Sequence, residues 1–557
     1  MRASVPGACG LFVAVVAATV ASCATSERTS GFNDPPDAGG SNTDAEVFGI
    51  TPDAGPKSLD RDPVSCAEAA TYKTYVGCDY WPTATANAVQ NVFDFAIVIA
   101  NVGKETASVT VKGPSSTNQT VTVKAGQLEK VYLPWVAALK GGASSGVVKG
   151  GAFHVVSDKP VVVYQFSPLE FQAQGGPPTK DWSKCTDPAT GLPASPCYSY
   201  SNDASLLLPS PAMTGTYRIM GSTGWSRHPV NPLTGKVDTT KPVNHNASSF
   251  FAVTATEDNT KVTVKLSQKG KVVSGLGVAA TPGGGTLTLT LNAGDVAQVV
   301  GDPGSQTDFS GSLLTADRPV QVITGVPCMD FPFDVQACDH IEETVFPAET
   351  LGKHYVVTRP TGPRSNLSGH VVRVFGNQDA TTLTYKPSKP AGCPAKIDAG
   401  AVVDCGVVNV DFEVTGDKEF GVAMFQLGGE RADPDYIPGL SQPQGDPSQT
   451  FAITVEQYRK HYVFLAPTDY KTSFVDIVAP ADGRFTIDGV DATSSAKPIT
   501  GTSWLLARVK LGAGQAGAHV IDASQPIGIQ VVGYGENTSY QYPGGLNLES
   551  IAQPPVK

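Results

Sequence analysis

Alternating apolar residues recur along this chain in four similar phrases, and each phrase predicts a β-strand. In each copy a small polar residue and usually an Asp lead into the apolar run, through a Pro in three of the four. Asp and Pro favour a tight turn, and β-branched residues favour a pleated strand. We therefore interpret each phrase as the return arm of a β-hairpin. The copies are Ser157–Tyr164, Ala316–Ile323, Gly416–Ala423 and Ala523–Gln530.

This recurrence indicates an array of similar modules. A second predicted hairpin precedes each phrase, as in Phe250–Ala255 followed by Lys261–Val264. An aromatic segment such as Gly352–Val357 opens modules two to four. Six or seven strands in about 100 residues are typical of a β-sandwich, although a closed or propeller-like arrangement would give the same strand pattern. We predict an all-β protein of tandem β-sandwich-like modules at 66–175, 176–335, 336–435 and 436–557.

Composition supports the all-β prediction and argues against one class of partner. The 557 residues include 58 Gly and 43 Pro, and only 16% are charged, so turn formers are abundant and long helices are disfavoured. The 40 Lys and Arg against 51 Asp and Glu give a net charge of −11, which would repel phosphate backbones. No basic patch is interleaved with aromatic residues. We therefore expect no nucleic-acid binding.

The amino terminus has the form of a bacterial lipoprotein leader. Arg2 precedes the apolar stretch Leu11–Val20, which is too short to span a bilayer comfortably. The following Ala21-Ser22-Cys23 resembles a lipobox, so we predict a signal peptide at 1–22 and lipidation of Cys23; an ordinary leader containing a Cys is the alternative. Residues 23–65 are poor in apolar residues and predict a disordered tether. The expected location is the bacterial outer membrane or cell surface.

Eight further cysteines fall in four close couples. Their spacing predicts the disulfides Cys66–Cys78, Cys185–Cys197, Cys328–Cys338 and Cys393–Cys405. Each would close a loop of about a dozen residues and contribute about 3 kcal/mol in the chain-entropy model. Export to an oxidising compartment favours disulfides over metal ligands. A zinc site of Cys328, Cys338 and His340 would lack a fourth ligand.

Several phrases in order resemble the N-terminal domain family of the IgG Fc-binding protein. They are Thr256–Val264, the Asp-Lys-Pro and Asp-Arg-Pro phrases, and Ala337–Glu343 followed by Pro347 and Gly352–Val356. The likeness covers roughly residues 90 to 535. It implies an extracellular binding or adhesion module without implying that this chain binds antibody, and the fourth module departs from it by lacking the Asp before Pro526.

The remaining chemical signals favour no catalytic, cofactor or metal site. Ser144 has the spacing of a nucleophile elbow, but a strand pattern follows it where a helix should begin. The acidic loops at Glu257–Asn259 and Ala481–Gly483 could offer oxygen atoms to calcium, yet they follow no calcium-loop pattern. His340 beside acidic residues is better explained by local hydrogen bonds. Nine aromatic residues lie near loops and module ends, but half-buried packing explains them equally well, so we assign no binding site to them. They are Tyr80, Trp81, Trp135, Trp182, Trp225, Trp504, Tyr534, Tyr540 and Tyr542.

The sequence therefore predicts a non-catalytic surface lipoprotein that binds an extracellular protein or glycan. A structural envelope component is the alternative reading, and an unrecognised secreted hydrolase is the third. Because the repeated phrase has the residues that a hairpin itself requires, we expect function to lie in the loops between copies.

Overall fold

The repeated phrases mark the points where strands pass from one sheet to another. The computed structural model describes residues 61–555 except 187–190, 195–196, 230, 232–236, 305, 333–337, 438–439, 513 and 515–516. Helices are short: α1 (Cys66–Tyr72), α2 (Ala137–Lys140) and α3 (Gly429–Ala432), with 3-10 turns at Trp182–Lys184, Ser210–Ala212, Ala348–Thr350, Val455–Gln457 and Thr493–Ser495. Within this described part, no helix has the length and apolar character needed to cross a membrane.

Among the described residues, the first two modules contain eighteen strands. Those of the first are β1 (Gly77–Tyr80), β2 (Phe95–Asn101), β3 (Ala107–Gly113), β4 (Thr117–Val123), β5 (Leu128–Leu133), β6 (Gly146–Val148), β7 (His154–Phe166) and β8 (Ala204–Leu206). Those of the second are β9 (Thr216–Arg218), β10 (Trp225–Arg227), β11 (His245–Ala247), β12 (Phe250–Ala255), β13 (Thr260–Lys265), β14 (Thr286–Leu291), β15 (Val296–Val300), β16 (Leu313–Ala316), β17 (Val320–Met329) and β18 (Asp339–Thr344).

In the described part of the other two modules there are sixteen strands. Those of the third are β19 (His354–Val357), β20 (His370–Gly376), β21 (Thr381–Lys386), β22 (Lys396–Ile397), β23 (Val402–Val408), β24 (Phe412–Gly416), β25 (Phe420–Gln426) and β26 (Gln449–Phe451). Those of the fourth are β27 (Arg459–Leu465), β28 (Thr472–Pro480), β29 (Phe485–Ile487), β30 (Val490–Asp491), β31 (Lys497–Pro498), β32 (Trp504–Lys510), β33 (Ala518–Gly535) and β34 (Thr538–Pro543).

Each module forms two antiparallel arrays, a blade and a side sheet. The blades have the strand orders β8-β7-β2-β5, β18-β17-β12-β15, β26-β25-β20-β23 and β34-β33-β28-β32. The side sheets have the orders β4-β3-β7-β1, β14-β13-β16-β9, β22-β21-β24-β19 and β30-β29-β33-β27. The strand written first in each blade is its innermost strand. The innermost strands β8, β18, β26 and β34 contact one another in a ring, which gives a four-bladed, propeller-like arrangement. The all-β prediction is confirmed, and its propeller-like alternative describes how the repeats meet.

The predicted hairpins are wrong, because neighbouring strands in sequence enter different sheets. β7 and β33 run unbroken through the phrase, with one half in the side sheet and the other in the blade. β16 and β17 divide in the same way at Arg318-Pro319. β12 is buried on both faces, whereas β13 buries alternate residues. Turn residues by themselves favour local pairing, whereas the blade strands pair with partners that leave them buried on both faces.

The polar residue of each phrase holds this crossing in place. Asp158, Asp317, Asp417 and Ser524 each accept a backbone N–H from the side-sheet neighbour, at 2.7–3.0 Å. Ser524 makes this bond in the fourth module, where the sequence lacks the Asp before Pro. The polar residue is therefore needed as a hydrogen-bond acceptor, and a hydroxyl can replace the carboxylate.

In each module, the hydroxyl of a buried tyrosine bonds the residue at which the crossing strand enters the blade. The hydroxyls of Tyr80, Tyr217, Tyr355 and Tyr462 donate to the backbone carbonyls of Val161, Val320, Phe420 and Ile527 at 2.5–2.6 Å. Three of these tyrosines belong to the aromatic segments that open modules two to four. The first-module counterpart, Tyr80, completes the set. Each crossing is thus held by one polar side chain and one tyrosine.

Side chains fill the centre of the ring. β8, β18, β26 and β34 are buried along their whole length. Asp203, beside β8, accepts the backbone N–H groups of Glu342 at 3.0 Å and Gln449 at 2.9 Å, which joins three blades. The hydroxyl of Thr538 donates to Asp339 at 3.1 Å and joins the fourth blade to the second. The centre is a packed polar core that leaves no open channel between these strands.

Contacts between residues 73–75 and 546–548 close the ring. The backbone N–H of Tyr75 donates to Leu546 at 3.2 Å, and the N–H of Leu548 donates to Lys73 at 2.9 Å. The hydroxyl of Tyr75 contacts the fourth module through Val463. Each of the first three blades takes its innermost strand from beyond the module limit predicted from sequence, and the described residues belong to one compact unit. The module limits therefore stay a prediction about sequence repeats.

Removing one buried tyrosine hydroxyl should weaken the fold. Tyr355→Phe deletes the donor to Phe420 and the acceptor of the Gly352 N–H. We expect the free energy of unfolding to fall by about 1–3 kcal/mol, because both backbone groups are buried. Denaturant unfolding would measure the change. Tyr72→Phe, at a half-buried tyrosine of α1, is the matched control, and equal effects of the two variants would contradict the assignment.

Buried carboxyls near the axis should make stability depend on pH. Burial, together with nearby Asp446, raises the pKa of Asp330 to about 9, and burial also raises the pKa values of Asp203, Asp339 and Asp446. The folded state then holds protons that the unfolded state releases above pH about 4. Stability should consequently fall as pH rises from about 4 to 9.

Asp330→Asn should flatten part of this decline, because the amide cannot ionise. We expect melting temperature to drop less between pH 6 and 9 in the variant than in the unmodified protein. Asp482→Asn, on an exposed turn, is the matched control. An unchanged pH dependence in Asp330→Asn would contradict the assignment.

Candidate functional site

Four connections that lead into the innermost strands meet at one end of the ring. We call this surface the loop face and define it as the described residues within 167–203, 330–338, 427–448 and 536–537. The N–H of Asn537 donates to Pro443, and the N–H of Gly428 donates to Phe331. The hydroxyl of Tyr198 donates a hydrogen bond to the carboxylate of Glu536, which brings the first connection against the fourth. The loop face is therefore a continuous surface with contributions from all four blades.

The connections differ in length and sequence although the strands repeat. The fourth is a tight turn, whereas the first and third are long excursions. Leu440 is 82% exposed and Ile437 is 57% exposed, both in the third connection, and Tyr200 of the first is 44% exposed. Exposed apolar side chains grouped on one face are typical of interaction surfaces. Sequence reasoning pointed to the loops but did not single out Ile437 or Leu440, since isolated apolar residues in loops carry little signal.

The first connection is anchored against the segment 89–94 that precedes β2. Cys185 and Cys197 are bonded and pack with Val89 and Phe93 in a separate apolar cluster. The Nζ of Lys180 lies 2.5 Å from Asp94 and 3.4 Å from Glu170, and its charge sits over the ring of Trp182 at 5.0 Å. Burial raises the pKa of Glu170. This part of the loop face is held by covalent, ionic and aromatic contacts.

The other cysteines also form the disulfide pairs that their spacing predicts. Cys328, at the end of β17, is bonded to Cys338, at the end of the second connection. Cys66 joins α1 to Cys78 of β1, and Cys393 joins Cys405 of β23 inside the third module. Two of the four disulfides thus lie on the loop face.

The aromatic residues singled out in the sequence separate into two groups. Tyr80, Tyr534, Tyr540 and Tyr542 are fully buried and belong to the core. Trp135 and Trp182 are partly exposed, and both pack beside the first connection. Trp81 and Trp225 are also buried, and Trp504 is partly exposed beside Tyr458. Burial in the core therefore explains most of the set, whereas Trp182 belongs to the loop face and Trp135 borders it.

The residues considered for catalysis or metal binding are not assembled into a site in the described part of the chain. Ser144 lies on an exposed loop and is followed by β6, with no helix after it. His340 is buried against Phe250, 3.3 Å from Glu342. No group of three or more His, Cys, Asp or Glu residues among those described has metal-binding geometry. Cys23 and the signal peptide lie outside the described residues, as does the tether up to residue 60.

Comparison with known proteins supports the family resemblance. The model of the family described as IgGFc binding protein matches residues 203–533. A human protein named IgGFc-binding protein is 28% identical over 295 residues, which is 52% of this chain and 5% of the human protein. The chain thus spans a small part of that relative.

A structural comparison adds no argument about the fold. A crystal structure of a tetra-tandem repeat in the extending region of a large adhesion protein covers 84% of this chain and 99% of its own, at 11% identity and a TM-score of 0.08. The family match, by contrast, extends from the end of the first module through the crossing strand of the fourth. Because it covers more than half of the sequence, this chain belongs to the IgGFc-binding protein family.

Proposed function

We propose that this protein is exported, anchored at the cell surface through lipid on Cys23, and binds an extracellular protein or glycan with its loop face. One observation carries the binding proposal: connections from all four blades, unequal in length and sequence, meet on one surface with exposed apolar residues. The repeated strands supply the scaffold. Disulfides support export, because they form and persist in oxidising compartments.

Family membership supports a binding role. The family and the human relative are both named for binding, and the relative's name specifies the Fc part of IgG. That partner is one candidate among several, because this chain spans only 5% of the human protein. A structural envelope component is the alternative function, and an unrecognised secreted hydrolase is the third.

Substitutions on the loop face should abolish capture by the partner. The double variant Ile437→Ser and Leu440→Ser removes the most exposed apolar residues of the third connection. We expect at least fivefold weaker retention on immobilised mucin, extracellular matrix or IgG Fc, whichever retains the unmodified protein. Surface plasmon resonance would measure retention, and melting temperature would verify folding.

The matched control is Leu276→Ser with Val490→Ser, two residues of similar exposure away from the loop face. Equal loss in both double variants would contradict binding through the loop face. Retention on none of the probes, together with envelope defects when the gene is deleted, would favour the structural role.

The lipid anchor has a separate test. Cys23→Ser should move the protein from the membrane fraction to the soluble fraction, because lipid on Cys23 is the proposed attachment. Cys9→Ser, inside the predicted signal peptide, is the control and should leave the protein in the membrane fraction. Continued membrane association of Cys23→Ser would overturn the anchoring proposal.

A further inference from the structure

A cleft beside the first connection combines an aromatic ring, polar side chains and a positive charge. Its volume is about 650 Å³, and residues of the Asn87–Asp94 segment and of α2 line it. Pockets of about 300–1,000 Å³ are typical of small-ligand sites. Trp135 lies in the cleft and donates its indole N–H to Phe93 at 2.7 Å, so its ring is held in position. The cleft is a built feature of the fold.

Lys140 brings an uncompensated charge into this cleft. Its Nζ lies 4.6 Å from the centre of the Trp135 ring and donates to Asn91 at 2.5 Å. Burial lowers the pKa of Lys140 to about 8, and no carboxylate among the described residues offsets that effect. The nearby Asp94 is already paired with Lys180. An anionic group on a ligand would therefore find an available counter-charge.

The same surroundings limit the class of ligand. The net charge of −11 disfavours polyanionic ligands. A ligand that places one negative charge in the cleft matches its single lysine. The walls are a loop and a one-turn helix, whereas peptides that bind by strand addition need an open sheet edge. Asn91 and Asp94 can hydrogen-bond hydroxyls, and Val89, Pro134 and Trp135 offer apolar surface to a ring. This combination matches a sugar.

We propose that the cleft binds an acidic saccharide, with its carboxylate or sulfate ester on Lys140 and its ring against Trp135. The inference rests on the binding role proposed above and names the chemistry of one ligand on the same side of the molecule. Cys185 and Cys197, which pack with Phe93 beside the cleft, would then stabilise a binding site as well as a loop.

Calorimetric titration of the full chain can test this inference. The probes are a sialic-acid-terminated trisaccharide, a sulfated disaccharide and lactose as the neutral compound. We expect either or both acidic probes to bind and lactose to bind at least tenfold more weakly. Lys140→Met should weaken acidic binding at least tenfold, and Lys271→Met, at an exposed lysine, should leave it unchanged. Melting temperatures would verify that each variant folds.

A pH series adds a second readout. Acidic binding to the unmodified protein should weaken above pH about 8, whereas Lys140→Arg should keep its affinity to pH 9.5 because the guanidinium stays charged. Equal binding of lactose, unchanged binding by Lys140→Met, or no binding at about 10 mM of any probe would overturn the inference. If the last result occurs while retention still depends on Ile437 and Leu440, the proposed function stands and this ligand assignment alone fails.

Discussion

The passage of one strand per module from side sheet to blade is the constraint on which the rest of the structure depends. At this point the hydrogen-bond ladder changes partners, so a Pro without an N–H is tolerated. A polar side chain and a tyrosine hydroxyl satisfy the backbone groups exposed by the change, as Asp317 and Tyr217 do in the second module. The four crossings set where every blade begins and hence where its innermost strand lies.

Closure of the ring separates scaffold from surface. The innermost strands fill the axis, and Asp203 ties three blades together through backbone N–H groups. Burial raises the pKa of Asp330 to about 9 and also raises the pKa of Asp339, which favours the uncharged carboxyl near the axis. With the axis packed, ligands can reach only the outer surfaces, and the connections of the loop face are free to differ because no strand pairing depends on them.

Local features of the fold could be predicted from the sequence, whereas long-range strand pairing could not. Alternation predicted the strands, and spacing predicted the cysteine couples, because both signals lie within a short stretch of chain. The hairpins failed because Arg318-Pro319 has the same residues whether a chain turns back or crosses between sheets. The cleft was also out of reach: Trp135 was noticed as an aromatic residue, but its relation to Lys140 depends on how α2 packs. The signal peptide, the lipidation of Cys23 and the tether stay predictions, because residues 1–60 lie outside the described part of the chain.

Hydrogen–deuterium exchange of the full chain, with and without whichever of mucin, extracellular matrix or IgG Fc retains it, tests most directly whether the partner binds at the loop face. Exchange should be slower in residues 167–203 and 427–448 when that probe is present. Exchange in the side-sheet strands β13 and β14 should stay unchanged, because they lie outside the loop face. Slower exchange confined to β13, β14 and the other side sheets, with the connections unaffected, would contradict binding at the loop face.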